Sequence, residues 1–161
     1  GDEKLYDDLV AAYPLQTNSE LQQDIAGGLT STKDPKLAKK VLGKLKDSSW
    51  VRLQDFDRLL VQLLMNKHTR KVAWRWLTSN WGWIEKSFAS DKSYDNLPRY
   101  SAGAFATDEW LKEYKAFFRP KKKMPALTRN IVMGEADIKA KIKWTKRDHK
   151  KLVKWLKTSS I

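Results

Sequence analysis

The 161 residues are 41% hydrophobic and 32% charged, which is enough apolar material for one domain with a core and too much for a disordered chain. No run of 18 apolar residues offers a membrane span, no N-terminal pattern reads as a secretory signal, and the lack of cysteine excludes disulfides and thiolate metal sites. The net charge of +13 is unevenly placed: residues 1–34 hold seven acids against two bases, residues 112–157 hold 16 bases against four acids. Such an excess suits nucleic acid, an acidic protein surface, a cavity for anionic groups, or simply a solvated face.

Taken in order, Asp2 to Ala12 places Leu5, Leu9 and Val10 at helical spacing with acids early, where the positive end of a helix dipole favours them, and Pro14 follows the end. Asn18 or Ser19 can cap a second helix carrying Leu21, Ile25 and Leu29. Asp34-Pro35 is a strong start for a third, with Leu37, Val41, Leu42 and Leu45 as its buried stripe. The short apolar run at Trp50 has no partner strand and leads instead into a helix over Asp55 to Asn66, carrying Phe56, Leu59, Leu60, Leu63 and Leu64.

The stretch Arg70 to Phe88 holds four of the eight tryptophans. At about 100° per residue, Ala73, Trp76, Leu77, Asn80, Ile84 and Phe88 share one side, with Trp74, Trp81 and Trp83 at its margins. It predicts one central helix with partners on more than one flank. Asn80, on the apolar side, needs hydrogen-bond partners and is expected to fix that helix to a neighbouring backbone. The polar run SDKSYDN after Phe88 is expected as a loop.

Leu97 to Ala106 predicts a helix with Tyr100 and Phe105 as its apolar contacts. Thr107 caps the next, whose apolar face is Trp110, Leu111, Tyr114, Phe117 and Phe118, and Pro120 ends it. Pro125 opens a helix through Leu127, Ile131, Ile138 and Ile142 to about Lys143. Thr145 and Asp148 have capping-box spacing for a last helix, in which His149, Leu152, Val153 and Leu156 share one face and a lysine-rich set occupies another. The fold expected is all-α: about nine helices in antiparallel pairs, stacked as an α-α superhelix of the HEAT or armadillo kind, with residues 1–161 as one domain.

Reaction chemistry is hard to find. His68 and His149 stand far apart and neither begins H-E-x-x-H, and no nucleophile elbow, phosphate loop or dinucleotide fingerprint occurs. Glu135 and Asp137, at i and i+2, diverge on a helix and make a poor acid/base pair. No catalytic residue and no metal ligand is assigned. Aromatics and lysines fall on opposite helix faces, so no nucleic-acid partner is expected. No membrane partner is expected either, for want of a spanning run.

Five runs in order nevertheless resemble a known family. Ala73-Trp74-Arg75-Trp76-Leu77 with Asn80-Trp81 and Ile84, then Phe105-Ala106-Thr107, Leu111-Lys112-Glu113 with Phe117-Phe118, the segment FFRPKKKMPALTRNIVMGEADIKAKIKW, and KKLVKWL are together similar to the C-terminal helical domain of aminopeptidase N-like zinc metallopeptidases. The likeness runs from about Trp50 to Leu156. It implies a fragment of a larger enzyme whose zinc and catalytic residues lie in a domain not contained here. This fragment would be inactive alone and hold no cofactor. Its partners would be the catalytic domain of the same polypeptide, over whose active-site chamber it closes, and the peptide substrates it admits.

Arginines facing that chamber would attract a peptide's C-terminal carboxylate, and Arg129, Arg99 and Arg70 are the candidates. Trp76, Asn80, Trp81, Phe118 and Trp155 are expected to be structural. A cytoplasmic location fits the missing cysteines. The alternative reading is a free-standing helical-repeat adaptor that binds an acidic protein partner.

Overall fold

The computed structural model describes residues 3–88 and 93–158. The expected helix start at Asp2 and residues 90–92 of the expected loop lie outside them. All regular structure among the described residues is helical, nine α-helices with four short 3-10 turns. The chain divides into two compact units, Gly1–Tyr94 and Asp95–Ile161.

The first unit contains α1 (Glu3–Ala12), α2 (Ser19–Thr30), α3 (Pro35–Lys44), α4 (Phe56–Met65), α5 (Arg70–Ser79) and α6 (Trp81–Ser87). Its starts follow the sequence signals. The Asn18 carboxamide oxygen accepts from the backbone N–H groups of Glu20 and Leu21, and the Asp34 carboxylate accepts from that of Lys36 at 2.7 Å, so each cap satisfies donors that the helix itself leaves orphaned. The apolar stripes then meet: α1 packs on α2, α2 on α4, and both α3 and α4 on α5. Leu29, Val41, Leu59, Leu60, Leu63, Leu64 and Leu77 are wholly buried between them.

Polar side chains tie these helices at their ends. The Tyr6 hydroxyl donates to Leu29 O at 2.9 Å, Trp50 Nε1 to Val10 O at 2.8 Å, and Asn66 Nδ2 to Thr30 O and Thr32 O. Each bond reaches at least 23 residues along the chain, and three of the four accepting carbonyls, those of Val10, Leu29 and Thr30, lie in the last turn of a helix, where the helix's own ladder supplies no N–H. The run from Trp50 is not a strand: Trp50 and Val51 are buried, and a 3-10 turn at Leu53–Asp55 leads into α4.

The tryptophan-rich stretch is two helices rather than one. At Asn80 the backbone leaves helical geometry, at φ −110° and ψ 12°, so α5 ends and α6 begins. Local side-chain bonds explain the break: Asn80 Nδ2 donates to Trp76 O at 2.7 Å and Thr78 Oγ1 to Trp74 O at 3.0 Å, each competing for the carbonyls of the last turn. Asn80 therefore terminates its own helix instead of fixing it to a neighbour.

The second unit contains α7 (Leu97–Gly103), α8 (Asp108–Phe118) and α9 (Pro125–Thr158). Thr107 caps α8 as expected, its hydroxyl accepting from Trp110 N at 3.3 Å. Both α7 and α8 pack on the first half of α9, through Leu127, Ile131, Gly134, Ile138 and Ile142. Gly134 is required there by contact: a Cβ at this position would overlap the Tyr114 hydroxyl and meet Ala102 Cβ at 3.0 Å. The space is used by Tyr114, wholly buried, whose hydroxyl donates to Pro98 O at 3.0 Å. Lys141 Nζ donates to Ala102 O and Gly103 O, placing a cation at the negative end of α7.

Two expectations fail in this unit. Tyr100 is 44% exposed, and α7 is buried instead through Leu97 and Ala102, while Phe105, just past its end, is wholly buried and stacked on Trp110 at 4.5 Å between centroids. The last two expected helices are one, because α9 runs through Thr145 without a break. No Gly or Pro lies between Pro125 and Thr158 except Gly134, and a capping box cannot act where the preceding turn is already helical and propagation costs less than restarting.

Candidate functional site

The three arginines proposed from the sequence are not gathered by either unit. Arg70, in the first unit, directs its Nε to Leu64 O and an Nη to Met65 O, both at 3.1 Å. It thereby satisfies the orphan carbonyls at the end of α4, and the burial this requires pushes its guanidinium below the usual arginine range. In the second unit, Arg99 on α7 stands 3.6 Å from Asp137 on α9, with both side chains half exposed. Arg129, on the first turns of α9, is exposed, and its guanidinium makes no hydrogen bond or ion pair with a described residue.

The residues expected to be structural behave in three ways. Trp81 and Phe118 are buried, Trp81 edge-on to Tyr94 at 6.1 Å and Phe118 against Tyr114 at 4.7 Å. Trp76 is half-buried in a cluster with Phe56 and Trp83, and Asn80 marks the break already described. Trp155 is 61% exposed, because α9 continues beyond the last side chains of its unit that cover it.

One cationic hollow was not singled out from the sequence. It lies beside α8 and the 3-10 turn Arg119–Lys123, lined by Lys115, Ala116, Arg119, Lys122 and Glu135. Lys122 Nζ is 2.7 Å from Glu135, so one of the three cations is already neutralised. Lys115 and Arg119 remain to face an anion. The RPKKK run was its signal, but a run of cations reads first as a solvated turn. Among the described residues no three His, Cys, Asp or Glu side chains come together as metal ligands would.

Helical units rich in buried aromatics are what the described residues define. The chain belongs to the ERAP1-like C-terminal domain family, whose sequence profile matches residues 1–140. Its relatives include aminopeptidase N of Lactobacillus helveticus, 32% identical over 142 residues, and aminopeptidase N of Lactococcus lactis subsp. lactis, 32% identical over 138. Glutamyl aminopeptidase of Bitis rhinoceros is 25% identical over 160 residues. The alignments cover 88%, 86% and 99% of this chain but only 17%, 16% and 17% of those proteins, so the chain spans about a sixth of the length of the relatives it matches.

Proposed function

We propose that this chain is the non-catalytic C-terminal domain of a zinc-dependent aminopeptidase, and that it covers the active-site chamber and limits which peptides enter. The observation that carries the reading is the family match over residues 1–140. In such an enzyme the zinc would be held by the catalytic domain of the same polypeptide, where it would activate water against the first peptide bond. The described residues bring no three metal-ligating side chains together, and the role we read for this chain is steric and electrostatic.

A peptide held by its N-terminus at the zinc extends its C-terminal carboxylate away from it. Cations on the cover would draw that carboxylate in and orient it. Arg129 is the best placed to do so, since nothing described neutralises it, and Arg99 is next, at 3.6 Å from a half-exposed partner. Arg70 would contribute least, because its guanidinium already holds two carbonyls of α4.

The test uses the full-length enzyme and a pair of peptides that differ only in a free or an amidated C-terminus. Arg129→Glu should raise KM severalfold for the free acid and leave both the amide and a small aminoacyl arylamide unchanged. Equal effects on acid and amide would remove the carboxylate role, and unchanged selectivity in an enzyme lacking residues 1–161 would remove the covering role.

A further inference from the structure

The far half of α9 is amphipathic and uncovered. Trp144 is 62% exposed, Leu152 54%, Trp155 61% and Leu156 53%. At about 100° per residue these four fall within an arc of about 120°. Seven lysines and arginines lie between Lys143 and Lys157, six of them on the opposite side and Lys151 at the margin of the apolar arc, against a single acid, Asp148. One of them, Lys146, also reaches Asp108 at 2.7 Å. From Trp144 to Leu156 the stripe is about 18 Å long, at 1.5 Å per residue.

We infer that residues 143–158 bind the surface of an anionic lipid bilayer, lying in its plane with Trp144, Leu152 and Trp155 in the headgroup boundary and the lysines turned to the lipid phosphates. Charge complementarity selects the partner: an excess of six positive charges in 16 residues demands an anionic surface. It disfavours a second copy of this chain, which would set one basic helix against another.

Three features favour a lipid over an acidic protein groove or a nucleic acid. The two indoles lie within about 20° of each other, and the indole ring suits a boundary that is apolar on one side and wet on the other. Asp148 falls inside the apolar arc, ion-paired to Arg147 at 2.7 Å. A dry protein groove would have to desolvate that pair, whereas a hydrated headgroup layer leaves it in water. Finally, aromatics and cations lie on opposite faces, so one nucleic-acid strand cannot stack on the first while its phosphates meet the second. Lysine stems are long enough to reach down to the phosphates from above. The expectation of no membrane partner rested on the lack of a spanning segment, and an in-plane helix needs none.

The experiment is flotation of the 161-residue chain with large unilamellar vesicles, of phosphatidylcholine alone or with 30 mol% phosphatidylserine, at about 0.1 M salt, where charge interactions still reach about 10 Å. Binding to the anionic vesicles only is expected. It should fall at least tenfold in Leu152→Asp/Trp155→Asp and in Lys150→Glu/Lys154→Glu. Both pairs are exposed, and circular dichroism melts should confirm that each variant folds. Absence of vesicle binding overturns the inference and leaves an acidic protein groove as the occupant of the stripe. Wild-type binding by the Leu152→Asp/Trp155→Asp variant overturns it too, since attraction without insertion needs no apolar face. Because the test contains no peptide and no catalytic domain, its failure leaves the covering role untouched, and the converse holds.

Discussion

The two halves of α9 make an instructive pair. Both carry apolar residues at helical spacing and lysines between them. In the first half Leu127, Ile131 and Ile138 are wholly buried against α7 and α8, and Gly134 gives its missing side chain to Tyr114. In the second half Trp144, Leu152, Trp155 and Leu156 are all more than half exposed. Periodicity fixes which residues share a face, and a packing partner decides whether that face becomes core.

Substitutions across the two halves should separate them by magnitude. Ile138→Ala removes methyl groups from a site with no exposure, and should destabilise by about 2–5 kcal/mol through lost burial and a residual cavity. Denaturant unfolding would show it as a lower midpoint at constant slope. Gly134→Ala comes next. The new methyl meets the Tyr114 ring and Ala102, and forcing them apart should cost about 1–3 kcal/mol. In Gly134→Ala/Tyr114→Phe the hydroxyl that the methyl would overlap is gone, so part of that loss should be recovered.

Tyr114→Phe alone should cost about 1 kcal/mol, the net worth of the bond to Pro98 O. It also has a pH signature. Burial first, and then the charges of Glu135 and Asp137, hold the folded hydroxyl well above its ordinary value of 10.0. The neutral phenol is therefore favoured by folding. Its contribution is complete below pH 10 and is lost as pH rises from there through the folded value. Stability measured above pH 10 should decline less steeply in Tyr114→Phe. Tyr6, raised mainly by its own burial, keeps part of the slope. The smallest effect belongs to the uncovered half: Leu152→Ala should stay within about 0.5 kcal/mol of wild type, and a loss of 2 kcal/mol would show that the stripe is covered after all.

Much of this was legible in the chain. Asn18, Asp34 and Thr107 announced their helices because a cap is a local event, decided by one side chain and the next three N–H groups. Asn80 and Thr145 misled in opposite directions. Asn80 sits in an apolar pattern, yet its amide reaches the nearest carbonyl of its own helix and ends it. Thr145 carries a capping signal inside a stretch with no residue that stops a helix.

Function was legible only as a family likeness, since no single motif here carries chemistry. Arg70 shows why candidate site residues are harder still. Nothing in its neighbourhood along the chain says that its guanidinium turns back to the carbonyls of Leu64 and Met65, and only the fold of the turn before α5 reveals it. The exposure of Trp155 was hidden for the related reason that burial depends on what lies alongside, which no local pattern records.

The central claim, that peptide-bond cleavage belongs to another part of a longer polypeptide, is tested most directly by the hydrolysis of an aminoacyl arylamide. The purified 161-residue chain with added zinc should show no turnover, while the full-length polypeptide cleaves the same substrate. Robust, zinc-dependent hydrolysis by the 161 residues alone would contradict it.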